Sequence, residues 1–345
     1  MNKVLIKEIL EQPDIVENLI KNEAKHVNEI CANLKGKFDY ILIAARGTSD
    51  NAARYAQYLL GSCNNIQIAL AAPSLFTIYE TPPSLKHALV MGISQSGQSP
   101  DIVSVLENAR MQGRPTMCIT NDDSSPLANV SDFIINLNTG DEKAIAATKT
   151  YTSSLSALAL LSCFLSEDKS RLEDLKKTPN KIAETINNSL DRIDQTCRYR
   201  YMEHCVIIGR GFNYCTAYEI SLKIKELARV ISVPYSSADF DHGPIAAVKQ
   251  GFPIFVVTPT GKMFNHIFDF TSKLIDLGAE LIIITDNHEI IKRGKVNFKL
   301  PDGIPEWLSP ITSIIPGQLF ARQLAIEKGY DSDEPKGLLK VTKTY

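Results

Sequence analysis

The sequence predicts an α/β protein made from two copies of one lobe, each a parallel sheet covered by helices. Three observations carry this. Short, continuous, β-branched apolar runs alternate with helical stretches, as strands buried on both faces of a parallel sheet do. Several of those runs end in glycine- or hydroxyl-rich turns that open a helix. The strand ends also recur at a long, nearly constant spacing. Arg46-Gly47 follows the run 40–45, and Arg210-Gly211 follows the run 205–209, 164 residues later. Ser94-Gln95-Ser96-Gly97 and Thr258-Pro259-Thr260-Gly261 each follow a strand and also lie 164 residues apart. Thr120-Asn121-Asp122 and Thr285-Asp286-Asn287 close strands 165 residues apart.

Taken in order, residues 3–36 read as one or two helices broken at Gln12-Pro13. The first lobe's strands fall near 39–45, 66–70, 88–93, 115–119 and 132–136. A long helical pattern runs over 143–165, and charged helical residues 166–195 lead to the second lobe. Strands follow near 204–209, 253–258, 280–284 and 296–300, with a helix over 214–230. Residues 330–345 carry no periodic apolar pattern and read as a tail that stays frayed unless something anchors it. The domain reading is a helical segment 1–36, lobe one with its linker helix over 37–190, lobe two over 195–330, and a tail over 331–345.

A chain of 345 residues is long enough for two cores. The net charge of −2 gives no reason to expect nucleic acid, and Lys176-Lys177 and Lys292-Arg293 read as solvated faces. No apolar run approaches the roughly 18 residues of a membrane helix. The start, residues 1–8, lacks the apolar core of a signal peptide. The seven cysteines are scattered, with no CxxC and no Cys/His cluster. They read as free thiols of a cytoplasmic protein with no metal site.

Residues 94–99, Ser-Gln-Ser-Gly-Gln-Ser, sit between an apolar strand and a helix start. Small residues there let backbone N–H groups point outward, and the helix dipole favours an anion. The turn suits a phosphate that is held and not cleaved, because no P-loop lysine is present. It equally suits a plain serine-rich turn with an N-cap at Ser96 or Ser99. Glu219, Lys223 and Glu226 share one helix face by i,i+4 and i,i+3 spacing. They fit either a surface ion-pair ladder or a partly buried carboxylate tuned as a general base. His242 precedes Gly243-Pro244, a sharp turn, where a histidine is either structural or functional. No GxGxxG opens a helix, which argues against a dinucleotide site.

In this order the chain resembles the sugar isomerase (SIS) family, and within it the isomerase half of glucosamine-6-phosphate synthases. The resemblance rests on residues 8–13, Arg46-Gly47-Thr48-Ser49, Ser94-Gln95-Ser96-Gly97, Ala147-Thr148-Lys149, residues 219–226, His242-Gly243-Pro244 and the tail Pro335 to Thr342. It implies two tandem lobes of flavodoxin-like, three-layer α/β/α form. It implies that Ser49, Ser94, Gln95, Ser96 and Ser99 hold a sugar 6-phosphate, with Gly47, Thr48, Ile145 and Leu339 also lining the substrate site. By the same resemblance Glu226 is the base that moves a proton between C1 and C2. His242 assists ring opening from the neighbouring subunit of a homodimer. Lys340, in a tail that reaches the active site, lies at the sugar carbonyl, where a Schiff base can form. Lys223 supports the enediol(ate) oxygen or positions Glu226.

Two positions depart from the synthase pattern. Arg46 stands where the synthase has a small thiol residue, and Ala147 stands for a serine. The glutaminase half has no counterpart here, so the chain is not expected to hydrolyse glutamine itself. The favoured expectation is deamination of glucosamine 6-phosphate to fructose 6-phosphate and ammonia, without a cofactor. The alternatives are the reverse synthase reaction fed by a separate glutaminase, cleavage of a fructosamine 6-phosphate, and a non-catalytic sugar-phosphate sensor. A sensor would need the serine turns but not Glu226, His242 and Lys340 together.

Overall fold

The computed structural model describes residues 3–166 and 168–340. The chain begins with α1 (Val4–Leu10) and α2 (Gln12–Leu34). Then come β1 (Tyr40–Ala44), α3 (Gly47–Asn64), β2 (Gln67–Leu70), α4 (Ser74–Thr77) and β3 (Ala88–Ile93). The first lobe continues with α5 (Pro100–Met111), β4 (Thr116–Thr120), α6 (Pro126–Asn129), β5 (Phe133–Asn136) and α7 (Lys149–Ser166). After α8 (Lys169–Leu190) come β6 (His204–Ile208), α9 (Tyr214–Ala228), β7 (Ile231–Tyr235) and α10 (Ser237–Asp241). The last elements are β8 (Pro253–Val257), α11 (Phe264–Asp276), β9 (Glu280–Thr285), β10 (Val296–Lys299) and α12 (Ser309–Glu327). Pro13 is the second residue of α2, where a missing N–H costs nothing, so the helical start is split there as its sequence predicts.

The described residues divide into two compact units. One holds residues 14–142 and 149–176 with the segment from Leu339; the other holds the chain through Pro13, residues 143–148 and residues 177–338. The first unit is built on a parallel sheet of order β2-β1-β3-β4-β5. Leu42, Val90, Ile102, Val105, Leu106 and Leu127 form part of its core. The second unit is built on a parallel sheet of order β7-β6-β8-β9-β10. Its core includes Ile208, Phe240, Val256, Ile267, Leu274 and Ile283. Each such side chain contributes roughly 1.5–3 kcal/mol when fully buried.

The two orders are the same order, so the repeat seen in the turns is a repeat of topology. It extends to the helix before each sheet. In the first unit His26 of α2 donates to Ile134 O of the edge strand β5 (2.9 Å). In the second, Asn188 of α8 donates to Lys299 O at the end of the edge strand β10 (3.4 Å).

Three elements differ from the sequence expectation. β7 was not expected. Its residues alternate in burial, Ile231 is 71% exposed and Pro234 lies in its interior. It is an edge strand, the place where a sheet tolerates proline, and a search for continuous apolar runs passes over it. α12 was also missed, because Pro310 and Pro316 punctuate an otherwise apolar, buried helix. It packs tightly on α9: a Cβ at Gly317 would stand 2.3 Å from Ile220 Cγ1. Finally, the helix expected from residue 143 begins only at Lys149. Before it, the backbone N–H of Lys143 and of Ala144 donate to the buried carboxylate of Glu8, the first at 2.5 Å.

The tail has an anchor. Asp333 accepts from Val4 N (3.1 Å) and Leu5 N (3.0 Å) at the start of α1, and its carbonyl accepts from Ile145 N (3.3 Å). Val341 and Thr342 of the tail motif lie outside the described residues.

Candidate active site

In the first sheet the strand order turns back between β1 and β3, the switch point where open α/β sheets bind ligands. The turn 94–99 leaves the carboxyl end of β3. Gly97 has φ +61, and a Cβ there would lie 2.1 Å from Ser125 Oγ, so only glycine fits. Gly97 N donates to Ser94 Oγ (3.1 Å) and Gln98 N donates to Ser96 Oγ (3.3 Å). The carbonyls of Gln95 and Gly97 accept from Asn121 N (3.0 Å) and Leu127 N (3.1 Å), which pins the turn to the end of β4 and to α6. Ser99 takes the N-cap position of α5, but its hydroxyl makes no capping bond. The plain N-cap reading therefore accounts for the backbone there and not for the hydroxyl.

The neighbouring strand end, after β1, carries Arg46 in extended conformation (φ −138, ψ 154) and Gly47 at φ +53 as the first residue of α3. Thr48 and Ser49 follow, half-buried, in its first turn. Arg46 Nε donates to Asp101 Oδ2 (2.8 Å), whose side chain is fully buried in the first turn of α5.

The second sheet repeats this backbone. Arg210 is extended (φ −146, ψ 155) and Gly211 has φ +62. Its counterpart of the serine turn is bonded by carboxylates of the same unit. Thr260 donates to Asp286 Oδ1 through its N–H (2.7 Å) and its hydroxyl (2.9 Å). Lys262 N and Met263 N donate to the Glu306 carboxylate (2.8 and 3.3 Å). One lobe thus presents neutral hydroxyls at this turn, and the other presents two carboxylates.

The ion-pair ladder of α9 is buried. Lys223, with its side chain 1% exposed, places Nζ 2.6 Å from Glu226 Oε2 and 3.4 Å from Glu219 Oε1. Glu219 is fully buried, whereas Glu226 is 23% exposed. Removing one partner of such a group costs about 3–5 kcal/mol, because it leaves a buried charge uncompensated. Glu226 is therefore a carboxylate held on one side by a buried ammonium and open to solvent on the other. His242 is exposed in the same unit at the end of α10, its N–H on Asp239 O (3.3 Å), ahead of Gly243 at φ +135. Among the described residues no hydrogen bond joins His242 to Glu226.

In the first unit, Lys340 Nζ donates to Glu142 Oε2 (2.9 Å). The Glu142 side chain is fully buried and also accepts from Thr150 N (3.2 Å) and Thr150 Oγ1 (2.8 Å). Sequence reasoning missed Glu142, which lies in a polar stretch without periodicity. Leu339, beside Lys340, is 78% exposed, and Ile145 is half-buried.

Among the described residues no group of three or more His, Cys, Asp or Glu comes together as a metal site. Among the described residues no helix is long and apolar enough to cross a membrane.

The SIS domain family matches residues 37–162 and 200–328. The glutamine–fructose-6-phosphate aminotransferase (isomerizing) of Pyrococcus horikoshii is 33% identical over 345 residues, covering 97% of this chain and 57% of that protein. The enzyme of the same description from Aquifex aeolicus is 30% identical over 339 residues, with the same shares. The chain thus spans 57% of the length of these relatives. Among solved structures, the C-terminal domain of glucosamine-fructose-6-phosphate aminotransferase from Francisella tularensis aligns with TM-score 0.85 at 27% identity, covering 97% of this chain and 99% of that one. The glucosamine-6-phosphate deaminase of Thermotoga maritima shares the fold, with TM-score 0.81 at 23% identity over 99% of this chain and 100% of that one.

Proposed function

The chain belongs to the SIS domain family, and from that premise we propose that it is an aldose–ketose isomerase acting on amino-sugar 6-phosphates. Its favoured reaction is the deamination of glucosamine 6-phosphate to fructose 6-phosphate and ammonia. The observation that carries this reading is the Glu219–Lys223–Glu226 ladder, in which a buried ammonium fixes a carboxylate that still reaches solvent.

Moving a proton between adjacent carbons needs one base that takes it from C2 and returns it to C1. Glu226 is assigned that role. The oxygen at C1 gains negative charge on the way, and a fixed cation lowers that barrier. Lys223 supplies it or holds Glu226 in place. Proton transfer converts the 2-amino aldehyde to a 2-imine, which water hydrolyses to the ketone and ammonia. The turn 94–99, with Gly47, Thr48 and Ser49, is assigned to the 6-phosphate, and Ile145 and Leu339 to the rest of the sugar. Lys340 is assigned to the carbonyl carbon. Its Nζ rests on Glu142, so it must leave that partner to reach the carbonyl. His242, exposed and followed by Gly243 at φ +135, is assigned to ring opening in a second copy of the chain. The likeness to aminotransferases favours the reverse direction as the second reading: the same groups aminate fructose 6-phosphate when ammonia is delivered by a separate glutaminase.

The test is release of ammonia and fructose 6-phosphate from glucosamine 6-phosphate, with Glu226→Gln as the control. Release that vanishes in the variant supports the assignment. A protein that neither turns over nor binds any 6-phosphosugar refutes it.

A further inference from the structure

We infer that Arg46 is the cation that makes the turn 94–99 select a phosphorylated sugar over its unphosphorylated parent. This rests on the proposed function and adds a residue to it.

The first argument is position. β1 and β3 pair in parallel through Ala44↔Gly92. Arg46 and Ser94 each stand two residues past that pair, on neighbouring strand ends about 4.8 Å apart. The second argument is charge. Residues 94–99 hold hydroxyls, amides and a glycine but no charged side chain. Neutral donors bind a phosphate dianion, but a guanidinium beside them adds charge-assisted, two-pronged bonds that a sugar hydroxyl cannot match.

The third argument is how Arg46 is held. Its Nε is fixed on Asp101 Oδ2 (2.8 Å), and Asp101 Oδ1 accepts from Ile102 N (3.0 Å). Asp101 is fully buried two residues after Ser99, so the clamp ties Arg46 to the helix that the turn opens. The Arg46 side chain is nevertheless 50% exposed, so the clamp leaves part of it open to solvent. A clamped arginine loses less freedom on binding a ligand than a free one. The Asp101 charge also balances it, so the pair offers directed donors with little general attraction for anions.

The competing role is a strut that joins the start of α3 to the start of α5 and touches no ligand. The two roles separate by calorimetric titration with 2-amino-2-deoxyglucitol 6-phosphate, an open-chain compound that cannot isomerise, and with its dephosphorylated parent. Wild type, Arg46→Gln and Arg46→Lys are compared, each with its melting temperature. The expected result is that Arg46→Gln weakens the phosphorylated compound about 10- to 100-fold. It leaves the parent compound unchanged, and Arg46→Lys recovers part of the loss. With glucosamine 6-phosphate, KM rises by the same factor while kcat changes less than about threefold, as for loss of uniform binding. A strut would lower the melting temperature and leave the ratio of the two affinities as in wild type, which overturns the inference. Wild type that binds neither compound overturns the proposed function instead, and the inference with it.

Discussion

A carboxylate can carry a proton between two carbons only if it is both held and reachable, and Glu226 is held by the buried Lys223 while 23% of its side chain stays exposed. Glu226→Gln should lower turnover about 10²- to 10⁴-fold while sugar-phosphate binding survives, read by steady-state kinetics beside calorimetry. Lys223→Met should destabilise the protein by about 3–5 kcal/mol in urea unfolding, since Glu219 would stay buried without its counter-ion. This ladder is legible in the sequence because its members lie three and four residues apart. Glu142 and Lys340 form a similar pair, but 198 residues separate them, and no local pattern announces it. The cysteines give a further check. Burial pushes the Cys118 thiol up to about 11, and those of Cys31 and Cys163 up to about 12. At pH 8 a disulfide reagent should therefore titrate the exposed Cys197 and the half-buried Cys63 in the folded protein, and the other five only after unfolding.

At the level of single elements, glycine and proline decide what was foreseen. Gly97 marks the turn after β3 in plain sight. Gly97→Ala should cost about 1–3 kcal/mol of strain and also abolish sugar-phosphate binding, because the new methyl group meets Ser125. Gly317→Ala should loosen α9 against α12 at a cost of about 1–3 kcal/mol, seen as a lowered melting temperature together with lost turnover. The prolines of β7 and α12 hid those elements for opposite reasons: one lies in an edge strand that can spare an N–H, the other in a helix whose burial outweighs the break. Another element-level contact predicts a pH response. Arg198, just before β6, hydrogen-bonds the Glu280 carboxylate of β9 at 2.6 and 2.8 Å and holds its carboxyl below the usual range. The stabilisation is then fully present above about pH 4.3, the unfolded value, and is lost as pH falls through the lower folded value. Unfolding curves of wild type and Arg198→Ala should differ at neutral pH and converge in acid. The gap is modest, because the arginine is mostly in solvent.

For the whole molecule, the spacing of strand ends was enough to predict the duplication, and the two sheets carry it through to the same strand order. The spacing could not tell which copy keeps which task, since that depends on side chains meeting across distant segments. If His242 serves the site of a second copy, inactive Glu226→Gln and His242→Ala chains should regain activity when paired. Verified mixed dimers with no activity would rule out that exchange. The Glu306 carboxylate then marks a division between the lobes, because a turn whose N–H groups already face a carboxylate has less to offer an anion. The charged ladder is divided the other way. The residues 164 positions before Glu219, Lys223 and Glu226 are Tyr55, Leu59 and Ser62, which form no such ladder. If the turn 94–99 holds the phosphate and Glu226 moves the proton, each half supplies what the other lacks, and either half alone would be idle.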